Sequence, residues 1–174
     1  MEGHPLADVL RRRVAFLASE AGRAADSVKI NRSEACLVAR LAEAVYRQYT
    51  ASEGFDVVHT LGVITPYRSQ IALIRQEILS LGIPELNAIL VDTVERFQGS
   101  ERDVIIYSFC VNRAYQMKFL ANLTTDGGVV VDRKLNVALT RARKQMFIVG
   151  VPELLRQNPI YAALLQAYLL GPLY

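Results

Sequence analysis

Apolar residues recur along this chain in two rhythms. Short continuous runs occur at Val14–Ala18 (VAFLA), Leu61–Thr65 (LGVIT), Ala88–Val94, Val104–Cys110 and Gln145–Gly150. Runs of that length, bounded by turn residues, predict strands buried on both faces. Between them the spacing becomes helical. Asn31-Arg32-Ser33-Glu34 precedes apolar residues at Leu37, Val38, Leu41, Ala44 and Val45, a capping-box-like start that predicts a helix to about Tyr49. A second helix is predicted from Tyr67 to Leu81, with Ile71, Ile74, Ile78 and Leu81 inward and Gly82 and Pro84 as its stop. A long loop is expected from Asn112 to Val130, with Gly127-Gly128 at its far end, then a helix from Asp132 to Lys144. Helical segments at Pro152–Arg156 and Ile160–Leu170, split by Asn158-Pro159, close the chain. Strands alternating with helices predict an α/β domain, a mainly parallel sheet with helices on both faces.

Bulk properties narrow this picture only slightly. At 174 residues, with 52% hydrophobic and 21% charged, the chain suits one packed core and not wholesale disorder. Residues 1–13 read as an N-terminal extension or truncated linker, and 14–174 as the domain. Cys36 and Cys110 are expected to be buried small hydrophobes, and His4 and His59 do not suggest a metal site. No apolar run approaches the ~20 residues that cross a bilayer, and the N-terminus lacks the order of a signal peptide. A cytoplasmic protein without membrane contact is expected. The net charge of +3 is compatible with a polyanionic partner without singling one out.

Two polar stretches abut strands and draw the chemistry to themselves. VDTVERFQGSERD (91–103) runs into VIIYSF, and LNVALTRAR (135–143) runs towards MFIVG. In a helix over 132–144, Leu135, Ala138, Leu139 and Ala142 share one stripe; Asn136, Thr140 and Arg143 fall on a second side, and Lys134, Val137 and Arg141 on a third. The two arginines therefore have different surroundings. A guanidinium fork suits a phosphate, and it equally suits acidic surface groups. Gly99 permits close backbone approach, and Gln98 both donates and accepts hydrogen bonds. Glu101 suits a ribose hydroxyl, the orientation of an arginine, or a plain surface role. Thr65-Pro66-Tyr67-Arg68-Ser69-Gln70 ends a strand and opens a helix, which makes either a phosphate seat or an ordinary cap. Tyr67 fits a base-stacking platform or a core position.

Taken together, VITPYRSQ, VDTVERFQGSERDVII and LNVALTRAR, with NRSEA upstream, resemble consecutive motifs of superfamily 1 helicases. The likeness is to the second, C-terminal RecA-like domain of the branch that holds the nonsense-mediated-decay RNA helicase and the replication helicase-nucleases. It spans roughly Val14 to Leu170 and implies a RecA-like, three-layer α/β/α fold. It also implies residue roles. Arg141 would be the arginine finger on the γ-phosphate and Glu101 would lie at the ribose or γ-phosphate side. Gln98 and Gly99 would line the nucleotide cleft, and Arg143 would sit in the cleft or support it. Thr65, Pro66, Tyr67, Gln70 and Thr93 would contact a single strand of DNA or RNA. Three family features are missing: a G-x-x-x-x-G-K-[ST] phosphate loop, an acidic motif followed by a second RecA-like core, and a tyrosine-arginine motif before Val14. ATP with Mg²⁺ is therefore expected to bind jointly with a missing N-terminal RecA-like domain, and the isolated chain to be inactive, with no tightly bound cofactor. The alternatives are a non-catalytic nucleic-acid-binding or interaction module that keeps the fold, and a stand-alone nucleotide-binding domain.

Overall fold

The computed structural model describes residues 6–23, 25–117, 123–126 and 129–169. Its strands are β1 (Val14–Ala18), β2 (Leu61–Ile64), β3 (Leu90–Asp92), β4 (Arg102–Ser108), β5 (Leu123–Asp126), β6 (Val129–Asp132) and β7 (Ala142–Gly150). Its helices are α1 (Arg32–Ala51), α2 (Arg68–Leu79), α3 (Pro84–Asn87), α4 (Arg133–Arg141), α5 (Pro152–Leu155) and α6 (Pro159–Tyr168). Five strands form one sheet in the order β1-β7-β4-β2-β3, and every neighbouring pair is parallel.

Alternation along the strands divides the core into two layers. On β4, Val104 and Ile106 join a cluster with Leu37, Leu41 and Ile74 from α1 and α2. Ile105 and Tyr107 join the other, with Leu135, Tyr161 and Leu165 from α4 and α6. Helices thus cover both faces, which is why these strands are apolar at successive positions. The result is the α/β/α sandwich of a RecA-like domain. The first layer also takes in Leu6 and Val9, both buried, so core packing reaches back before β1.

Local chemistry accounts for most boundaries. Asn31 has extended backbone and its side chain accepts from the Glu34 N–H at 2.8 Å, starting α1. The predicted capping box closes on one side only, because the Glu34 carboxylate turns into the protein. Asn158 caps α6 in the same way, accepting from the Ile160 N–H at 2.9 Å.

Three expectations are corrected. The helix predicted over 132–144 ends at Arg141, and Ala142 already pairs with Arg102 on β4; the parallel ladder overrides the helical stripe, so Arg143 and Lys144 are strand residues. The loop predicted over 112–130 includes β5, which pairs antiparallel with β6, while Gly127, Gly128 and Leu170 lie outside the described residues. Cys36 is exposed on α1, and only Cys110 is a buried thiol.

Candidate nucleotide and nucleic-acid interface

The predicted residues separate to the two ends of the sheet. Thr93 leaves the carboxyl end of β3, and the chain returns to the amino end of β4 through a single 3-10 turn, Val94–Phe97. That short crossover is pinned to the sheet by Phe97, which is wholly buried. Gly62 on β2 makes room for it, since a Cβ there would come within 2.5 Å of the Phe97 ring and 3.2 Å of Arg102 Cγ. After the turn, Gln98 and Gly99 are exposed. Gly99 has φ +73° with nothing near its missing Cβ, so its glycine answers to backbone conformation and not to crowding.

Arg102 holds this loop from below. Its guanidinium lies 5.4 Å from the Phe97 ring centroid. Its Nη1 donates to Ser100 Oγ and to the Glu101 carbonyl, each at 3.0 Å. Burial, and then the neighbouring charge of Arg143, holds its pKa below the usual arginine value. Glu101 itself is exposed.

Register brings the two implied nucleotide residues to the same end of the sheet. Arg102 and Ala142 are paired across β4 and β7, so Glu101 and Arg141 each stand one residue before a paired position, at adjacent strand entrances. Arg141 is half-buried, and its Nε is buried with no hydrogen-bond partner among the described residues. Arg143, two residues on, is committed elsewhere: Nε donates to Asp103 Oδ1 at 3.1 Å and Nη2 to the His59 carbonyl at 3.1 Å. Of the two roles open to Arg143, support matches its contacts.

At the opposite end, the strand exits form a closed polar network. Gln70 is wholly buried; its Oε1 accepts from the Asn31 N–H at 2.8 Å and its Nε2 donates to the Asn31 carbonyl at 3.0 Å. Asn31 Nδ2 donates to Glu20 O and to Asn112 Oδ1, both at 2.8 Å. Asn112 Nδ2 donates to the carbonyls of Val28 and Ile30. Gln116 accepts from the Asn112 and Arg113 N–H groups and donates to the Val28 carbonyl and to the Tyr67 hydroxyl. Glu34 is buried beneath this network; its Oε1 accepts from Ser108 Oγ at 2.8 Å and from the Cys110 N–H at 3.0 Å. Burial pushes the Glu34 carboxyl up to about 7 against these two bonds.

The residues expected to contact a strand divide accordingly. Thr65 is buried, with Oγ1 unpartnered among the described residues, and Gln70 is enclosed. In this conformation the structure does not bring either to the surface. Pro66, Tyr67 and Thr93 are half-buried, and Tyr67 is tethered by Gln116. The freely exposed groups at the start of α2 are Arg68 and Ser69. Sequence reasoning missed Phe97 and Arg102 as loop anchors, although Gly62 inside an apolar strand is a signal of close approach. It also missed Asn112 and Gln116, whose partners lie far along the chain.

Fold and site together define a RecA-like α/β domain with an open, arginine-bearing edge. A family model described as "AAA domain" matches residues 8–153, and the chain belongs to that family. It is 33% identical over 160 residues to the human RNA helicase Mov10l1, covering 90% of this chain and 12% of that protein. It is 38% identical over 105 residues to helicase sen1 of Schizosaccharomyces pombe, covering 60% of this chain and 6% of that protein. With the DNA replication ATP-dependent helicase/nuclease JHS1 of Arabidopsis thaliana it shares 30% over 135 residues, 78% of this chain and 9% of that one. The chain is a domain of the superfamily 1 helicase type, and it spans 12% or less of the length of each of these three relatives. Among the described residues no helix is long and apolar enough to cross a membrane.

Proposed function

We propose that this domain closes over ATP gripped by a separate phosphate-loop domain, presents Arg141 to the γ-phosphate, and forms part of a track for single-stranded DNA or RNA. The observation that carries the reading is Arg141, half-buried at the sheet end where Glu101 is exposed, with an Nε–H that no described residue accepts. A buried donor without an acceptor costs about 1–3 kcal/mol, and an anion arriving on domain closure provides one. Magnesium-bound ATP supplies the transferable phosphoryl group. No three His, Cys, Asp or Glu residues converge to hold a metal among the described residues, so the ion is assigned to the partner domain. Arg141 stabilises charge that develops on the γ-phosphate oxygens, and Glu101 orients Arg141 or accepts from the ribose. Gln98 and Gly99 line the cleft on the loop that Arg102 and Phe97 hold.

The strand track lies at the other end of the sheet. Thr65 and Gln70 form its floor without touching the strand in the described conformation. Tyr67 and Thr93, with Arg68 and Ser69, reach the sugar-phosphate backbone. Relatives named for RNA and for DNA fit a backbone-reading track. The nine residues from Thr93 to Glu101 join track and cleft directly, so a shift at one end moves the other.

ATP turnover in a polypeptide containing both this domain and a phosphate-loop domain is the test. Arg141→Ala is expected to lower kcat by about 10³-fold or more with strand affinity kept. Hydrolysis at the unmodified rate would remove the role assigned to Arg141. The 174-residue chain alone is expected to turn over no ATP, and hydrolysis by the pure chain would overturn the two-domain reading.

A further inference from the structure

A groove of about 690 Å³ runs between the segment before β1 and the outer face of α1. It lies apart from both ends of the sheet described above. Its lining is Ala7, Leu10 and Arg11 on one side and Arg40, Ala44, Arg47 and Gln48 on the other, with one acid, Glu43, beside Arg47. Arg40, Ala44 and Arg47 follow i, i+4, i+7 spacing, so they form one straight stripe about 10 Å long on α1. Leu10 and Ala44 are half-buried and pack on the core beneath, which makes the floor apolar.

The rim has more positive charge than its own partners use. Arg47 is engaged by Glu43 at 2.7 Å. Arg11 has only Asp8 at 4.0 Å, with side chains 82% and 89% exposed, a pair of little energetic worth. Arg40 has no hydrogen-bond or ion-pair partner among the described residues. We propose that this groove docks an acidic amphipathic helix of a protein partner, with apolar side chains on Leu10 and Ala44 and carboxylates on Arg40 and Arg11. The charge is complementary, and a groove with an apolar floor of Leu10 and Ala44 between two largely basic walls suits helix-in-groove recognition. A nucleic-acid strand fits less well, because the lining carries no aromatic ring on which a base stacks.

The probe is a synthetic amphipathic helix of leucine and glutamate, titrated at low salt into the ¹⁵N-labelled 174-residue chain. Amide shifts are expected at residues 7–11 and 40–48. Arg40→Glu, with its circular dichroism unchanged, is expected to weaken binding about tenfold, and replacing the peptide's leucines by serine to abolish it. The proposal is overturned by no binding, by shifts elsewhere, or by equal affinity of the Arg40→Glu variant. It is overturned equally if the serine peptide binds as well, or if a single-stranded oligonucleotide shifts the same residues more tightly.

Discussion

At the amino ends of β4 and β7, Arg102 and Arg143 hold their neighbours, while the Arg141 Nε–H meets no acceptor among the described residues. At the carboxyl ends of the sheet, three buried amides, Asn31, Gln70 and Asn112, are matched with partners through donors and acceptors alike. The contrast separates two kinds of polar residue that look alike in a motif. At the open end Arg141 is left incomplete among the described residues, so a ligand gains from meeting it. Those at the closed end are spent on holding α1, α2 and the segment after β4 in one arrangement. Glu101 and Arg141 therefore belong to a surface, whereas Gln70 belongs to the scaffold beneath one.

The largest stability effect should come from opening the closed end. Gln70→Ala strips the buried Asn31 N–H of its partner and leaves the Asn31 carbonyl with the Ala35 N–H alone. At about 1–3 kcal/mol for the stranded N–H, with the cavity left by a wholly buried side chain added, the loss should be about 3 kcal/mol in urea denaturation. Arg141→Ala breaks no hydrogen bond found among the described residues and removes the unpartnered Nε–H, so it should not lower stability and should raise it by about 1 kcal/mol. Equal costs for the two substitutions would erase the distinction between the ends.

The parts of this architecture that were legible in sequence are those set by neighbours in the chain. The α1 start at Asn31, the stripe of Leu37, Val38 and Leu41, and the apolar strands follow from spacing alone. The motif order led correctly to the helicase-type domain. Less legible was anything decided by distant partners. Gln70 reads as a surface residue of a helix start, yet it is buried because Asn31, 39 positions earlier, receives it. Glu34 reads as a capping-box acid, and it turns inward because Ser108 at the end of β4 and Cys110 just beyond it donate to it. The helix over 132–144 stops early for the same reason: the β4 edge that captures Ala142 is invisible in a local pattern.

Glu34 gives a second, pH-dependent way to probe the closed end. Burial raises its carboxyl from 4.5 to about 7, so between those values the folded chain holds a proton that the unfolded chain has released. Stability from this group is therefore fully present below pH ~4.5 and is lost as the pH rises to about 7, by ~3 kcal/mol in all. Glu34→Gln should flatten that slope while still accepting from Ser108 and from the N–H of Cys110, which has φ +53°. Unfolding free energies measured across this range for both proteins decide it. An unchanged slope in the variant assigns the titration to another group.

The smallest effect, and the sharpest comparison, lies within the open end itself. Arg141 and Arg143 are two residues apart, yet among the described residues only Arg143 has hydrogen-bond partners: Asp103 at 3.1 Å and the His59 carbonyl at 3.1 Å. Its side chain is 41% exposed, so water and salt screen the ion pair and limit its worth. Arg143→Ala should cost about 1 kcal/mol or less, and part of that cost should vanish in 1 M salt because the ion-pair share is screened. In the two-domain ATPase the ranking should invert, with Arg143→Ala lowering turnover far less than Arg141→Ala. A loss from Arg143→Ala as large as that from Arg141→Ala, with stability unaltered, would mean that Arg143 leaves Asp103 on closure and meets the nucleotide itself.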